Sequence, residues 1–228
     1  NPLNLAGSNL LTFDFSTAMD PKIDFYASTI GNKRILTTDP GDVASRYQLP
    51  QAVSPGGGTP AVHVDDVSTV LDLKLAFTKR MTLQSLRNSV VTLRGDGHDA
   101  SIYPSIDMGT TPGDNGITFK LSDLDVAGYP MANLFTVSML PDGEGSPDRV
   151  LNIRVQAKED GSGQAKWRLT ENQVYQLTFE AAQSNPTDDD SNPLGLSGPL
   201  TFNFRTASLP EIDFYASTIG NKRIRPTD

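Results

Sequence analysis

One stretch of this chain is written twice. Residues 11–39 read LTFDFSTAMDPKIDFYASTIGNKRILTTD, and residues 200–228 read LTFNFRTASLPEIDFYASTIGNKRIRPTD. The two agree at 22 of 29 positions, at an offset of 189 residues. Within them IDFYASTIGNKRI is unchanged between 23–35 and 212–224. A looser echo lies upstream, NPLNLAGSNL at 1–10 against NPLGLSGP at 192–199. Self-similarity at a long fixed offset marks a repeated structural unit. The chain is therefore expected to hold one repeat and the overlapping start of the next, with residue 1 a cut inside a longer polypeptide. An overlap set only by where a piece was excised would give the same text.

Between the copies, strand follows strand. Leu71, Leu73, Leu75 and Phe77 alternate with Asp72, Lys74, Ala76 and Thr78. Leu151, Ile153 and Val155 do the same, as do Tyr175, Leu177 and Phe179, and Leu200, Phe202 and Phe204. Leu11, Phe13 and Phe15 repeat that last pattern. A period of two is the mark of a half-buried strand. Weaker strands are expected near 90–94, 117–121 and 134–140, and a helical turn at 81–88. Asp96-Gly97, Asp142-Gly143 and Asp160-Gly161 supply tight turns. Short strands so punctuated predict an antiparallel sandwich. Residues 37–69 contain PGD and SPGGGTP and few periodic apolar residues. A structureless loop of that length is unusual inside a compact domain, so a boundary is expected there. The division is then 1–36, the end of a preceding repeat with the duplicated linker strand; 37–65, a linker; 66–207, one complete sandwich; and 208–228, the start of the next repeat's linker.

Composition narrows the function. With 19 Lys+Arg against 27 Asp+Glu the net charge is −8, which disfavours nucleic acid and anionic membrane surfaces as partners. There is no cysteine, which removes disulfides, thiolate zinc sites and cysteine nucleophiles together. No apolar run is long enough to span a bilayer as a helix, and no signal leader opens the sequence. A soluble segment is expected.

LDLKLAFTKRMTLQSL at 71–86 and LTFDFSTAMDP at 11–21 resemble the F-S-x-x-M-D-P opening strand of bacterial Ig-like domains in surface-repeat and S-layer proteins. LTENQVYQLTFEAAQS at 169–184 is similar to their L-x-x-G-x-x-Y-x-L-x-V strand, and NPLGLSGPLTFNFRTA at 192–207 to their G-N-P-L…F-x-T ending. Order and spacing agree over 71–207, with an insertion between Gly95 and Arg149. The chain departs from the pattern at Lys79-Arg80, where a small polar pair is usual, and at Glu171-Asn172, where a glycine is. The resemblance implies an all-β, antiparallel Ig-like β-sandwich, one complete module plus partial neighbouring segments. It also implies a secreted or cell-surface bacterial repeat acting as spacer or adhesive module.

Few residues could carry chemistry. His63 and His98 are the two histidines; neither has a nucleophile or an orienting partner nearby in sequence, so no catalytic set can be assembled. The GSGQAK run at 161–166 lacks the strand-to-helix setting of a phosphate loop and reads as a hairpin turn. Oxygen-rich loops at domain ends suit calcium. Asp65, Asp66, Asp188, Asp189 and Asp190 are the candidate Ca²⁺ ligands, with Asp123 and Asp125 a weaker pair; a solvated acidic loop is the plainer alternative. Trp167, the single tryptophan, is either a stacking platform for a sugar or core packing. The expectation is a non-catalytic extracellular repeat whose partners are the neighbouring repeats and a surface glycan or protein. Two alternatives stand beside it: a fibre or surface-layer subunit that self-associates through the duplicated segment, and a carbohydrate-binding accessory module.

Overall fold

The computed structural model describes residues 19–53, 61–95, 116–181 and 186–208, and the strand pairs 218–219 and 222–223. The strands are β1 (Ile23–Ile30), β2 (Lys33–Arg34), β3 (Val64–Val67), β4 (Asp72–Phe77), β5 (Val90–Gly95), β6 (Gly116–Lys120), β7 (Phe135–Leu140), β8 (Val150–Val155), β9 (Val174–Glu180) and β10 (Leu200–Thr206). One helical turn, α1 (Leu83–Leu86), is capped by Thr82, whose hydroxyl accepts from the Ser85 N–H. Two five-stranded sheets result, in the orders β2-β1-β4-β8-β7 and β3-β10-β9-β5-β6. Every pairing in them is antiparallel except β3 with β10, which is parallel. The protein is all-β.

The period-two apolar residues are the ones that face inward. Leu73 and Leu75 of β4, Leu151 and Ile153 of β8, Leu177 and Phe179 of β9, and Phe202 and Phe204 of β10 are all buried in one cluster. Alternation on both sheets thus closes two inner faces on a single core. Phe119 of β6 stacks on Phe135 of β7 with ring centroids 5.2 Å apart, which bridges the two sheets at one edge. The GSGQAK run is a hairpin turn closed by an Ala157–Ala165 bridge. Gly161 and Gly163 in it have φ of +72° and +70°, which only glycine adopts without strain.

The sandwich extends beyond the expected boundary at residue 66. β1, inside the first copy of the repeated run, lies between β2 and β4 and pairs with β4. Its Ile23, Phe25 and Ile30, with Ile35 just after β2, belong to the same buried cluster as the strands of 66–207. β3 begins within the expected linker and pairs with β10. The described part of the intervening chain, residues 35–53, folds back on the sandwich. Its 3-10 turn Ser45–Tyr47 contacts β1, and Leu49 packs on the core. The physical reason is that β1 supplies apolar side chains to an inner face that β4 alone cannot cover. Leu11–Phe15 and the Asp96-Gly97 turn lie outside the described residues.

Candidate functional site

The duplicated run builds a specific hairpin. The β1–β4 ladder pairs Ile23–Asp24 with Ala76–Phe77 and Thr29–Ile30 with Leu73–Lys74, and breaks in between. Asp24 makes that break: its Oδ1 accepts from the N–H groups of Tyr26 (3.0 Å) and Ala27 (3.1 Å). Ser28, fully buried, donates its hydroxyl to the Asp24 carbonyl at 2.7 Å and accepts from the Ala76 N–H at 2.9 Å. A bulge of this kind re-aims a side chain, and here the half-buried Tyr26 receives two guanidiniums. Arg34 lies 4.4 Å and Arg46 4.9 Å from its ring centroid. Arg46 also reaches the Asp24 carboxylate at 2.9 Å.

At the hairpin tip Gly31 has φ +56°, and a Cβ there would sit 3.0 Å from both the Ser68 nitrogen and the Val67 side chain. Glycine is therefore required twice over, by conformation and by space. The Gly31 N–H donates to the Asp72 carbonyl at 2.8 Å. Asn32 accepts from the Ser68 N–H, and Lys33 reaches Asp66 at 2.6 Å. At the other end of β1, a cleft of about 460 Å³ opens between Lys22, Phe25, Tyr47, Leu49, Leu196 and Leu200. Lys22 Nζ stands 5.3 Å from the Tyr47 ring there.

The candidate calcium ligands do not converge. Asp65 and Asp66 lie on β3, beside the start of β4; Asp188 bridges to Met81, beyond its end. A six-residue strand separates the two groups by roughly 20 Å. Each group already has protein cations. Asp65 faces Arg205 at 3.3 Å, Asp66 faces Lys33, Asp188 faces Lys79 at 3.2 Å, and Asp189 faces Arg80 at 3.2 Å. Asp190 directs its N–H to Asp188 Oδ1 at 3.0 Å. The weaker pair is likewise engaged, Asp125 with Arg87 at 2.9 Å. Among the described residues no group of three or more His, Asp or Glu side chains has the geometry of a metal centre. The structure does not bring the five aspartates to one point, and Asp188 holds its own loop through the N–H groups of Asp190 and Asn192.

His63 has a structural place. Its N–H donates to the Asn203 carbonyl at 2.8 Å, and the Asn203 N–H donates back to His63 Nδ1 at 2.9 Å. Burial holds its pKa below the usual histidine value, and Nδ1 must stay unprotonated to accept. Because the folded-state pKa is depressed, this contribution to stability is complete above about pH 6.5 and is lost as pH falls through the folded value. His63→Gln should flatten the loss. Urea midpoints at pH 7.5 and 5.5 are expected to fall further for the wild type than for the variant, and equal falls would refute the assignment. His98, outside the described residues, is present in both proteins and cancels.

Trp167 stands edge-on to Phe135 with centroids 5.8 Å apart, which commits part of the indole to the core. Arg46 and Tyr47, which complete the surroundings of β1, went unnoticed in the sequence because they sit in the apparent linker. The one signal was an aromatic and a leucine (RYQL) within a polar stretch. No known protein family, no curated protein and no solved structure shows a significant match to the chain.

Proposed function

We propose that the chain is an Ig-like repeat of an extracellular bacterial surface protein, with parts of its neighbours, working as a non-catalytic spacer or adhesive module. Lettered in the Ig manner, β1, β4, β8 and β7 are A, B, E and D, and β3, β10, β9, β5 and β6 are A′, G, F, C and C′. Tyr175, buried near the start of β9, accepts a hydrogen bond from the Thr170 N–H at 2.9 Å. That is the position and bonding of the tyrosine corner in such domains.

The observation that carries the repeat reading is a second hairpin. β11 (Thr218–Ile219) and β12 (Lys222–Arg223) pair Thr218 with Arg223 and Ile219 with Lys222. In the first copy Thr29 pairs with Arg34 and Ile30 with Lys33, the same register one repeat earlier. Only residues 207–211 separate the end of β10 from the second copy of the run. In the first copy the corresponding link is pinned: the Pro21 carbonyl accepts from the Gly195 N–H, and the Lys22 N–H donates to Thr78. A link so short limits hinge motion, which suits a stalk.

A polyprotein of several 189-residue periods, stretched by force, tests the reading. It should unfold in equal steps, one per repeat, each lengthening the chain by about 600 Å. Unequal steps, or no steps, would refute it.

A further inference from the structure

The seat occupied by β1 has a second segment in the same chain that matches it residue for residue. We infer that the hairpin is exchangeable: residues 212–224 of one molecule take the β1 seat of a second copy of this chain and link the two. The inference rests on the repeat reading above and adds a partner to it.

Within 23–35 the match is complete. Ile23, Phe25, Ile30 and Ile35, each no more than 3% exposed, have the counterparts Ile212, Phe214, Ile219 and Ile224. Asp213 and Ser217 repeat the Asp24 and Ser28 that shape the bulge, and Gly220 repeats Gly31. The hairpin register is already the same in both copies. Removing the resident strand is costly, but an identical strand in the same seat restores what is lost. The resident strand is bonded to β4 at two short places, and on its other side to β2 and to the N–H groups of Ile35 and Leu36 just after β2. Detaching it needs no threading, because β1 and β2 leave the sheet together from its edge.

The flanks favour the resident copy. Lys22, set near Tyr47, becomes Glu211, and Leu36, packed on the core, becomes Arg225. The tether adds an effective concentration on the order of millimolar. Exchange is thus a minor state in dilute protein and grows with concentration. Donor and acceptor surfaces differ, so successive additions run head to tail.

The chain has no cysteine, which makes the test direct. Thr29 and Lys74 are cross-strand partners, so Thr218 of a donor would stand opposite Lys74 of an acceptor. Lys74→Cys is placed on one chain and Thr218→Cys on a second chain of different mass, mixed at about 0.1 mM, below the effective concentration of the tether. The mixed disulfide dimer is then measured against a donor carrying Ser162→Cys in the exposed hairpin turn. Phe25→Ala on the acceptor weakens the resident strand and should raise the mixed dimer at least tenfold; Phe214→Ala on the donor should return it to the Ser162→Cys level. The acceptor must keep a cooperative unfolding transition, and Phe25→Leu takes the place of Phe25→Ala if it does not. A mixed dimer no more abundant than the Ser162→Cys reference, with a weakened and folded acceptor, overturns the inference. Equal unfolding steps in the polyprotein alongside that result would leave the repeat reading standing and exchange alone refuted.

Discussion

A chain of residues 37–208, which lacks both copies of the repeated run, is expected not to fold, although the sequence division assigns everything before Thr37 to a neighbouring unit. The truncation removes Ile23, Phe25, Ile30 and Ile35, all in the central cluster. Burying a side chain of this size is worth about 1.5–3 kcal/mol, so the four together contribute roughly 6–12 kcal/mol. That is comparable to the whole stability of a typical domain, about 5–15 kcal/mol. It also strips β4 of one of its two neighbouring strands and removes the buried Ser28 hydroxyl that accepts from the Ala76 N–H. Residues 19–208 keep every one of these contacts and are the reference. Circular dichroism and thermal unfolding of the two decide the matter: a cooperative transition of equal midpoint in the shorter chain would show that β1 is dispensable.

What the sequence made legible was determined by local pattern. β4, β8, β9 and β10 alternate cleanly, and each appears where its period places it, as do the weaker β5, β6 and β7. β1 was half-legible. Asp24 and Ser28 bend it into a bulge, so the alternation breaks within the strand and the run reads as a linker with some strand character. β3 reads Val-Asp-Asp-Val, with Asp66 at φ +58°, and its partner β10 is parallel and distant in sequence. No local pattern encodes such a pairing. The candidate site followed the same logic. Runs of aspartate are visible in a sequence, but the cations opposite them are not, because Lys79 and Arg205 reach Asp188 and Asp65 only after the sheets have formed. The sequence therefore shows clusters of like charge but not the cations that stand opposite Asp65, Asp66, Asp188 and Asp189.

Asp188→Ala is expected to cost about 3 kcal/mol, in the range for breaking a buried charged network, while Asp190→Ala should change stability by less than about 0.5 kcal/mol. The two neighbours differ in what they hold. Asp188 is 5% exposed. It accepts from the backbone N–H groups of Asp190 and Asn192 and from the Asn192 side-chain amide, and it pairs with Lys79. Burial opposes its ionisation, but the bonds from Asn192 and Lys79 outweigh this and hold the pKa below the ordinary carboxylate value. With the folded-state pKa depressed, the stabilisation is present above about pH 4 and is lost as pH falls through the folded value. The wild type should therefore lose more stability than Asp188→Asn between pH 5 and about pH 2.5. Because those lone pairs are already engaged, millimolar Ca²⁺ and chelator should give the same melting temperature for the wild type. A rise of several degrees with Ca²⁺ that Asp188→Ala abolishes would instead make this carboxylate a metal ligand, since a cation bound only to the folded state must raise its midpoint. An intact loop with unaltered stability after Asp188→Ala would mean that Asn192 and Lys79 find other partners and that the carboxylate organises nothing.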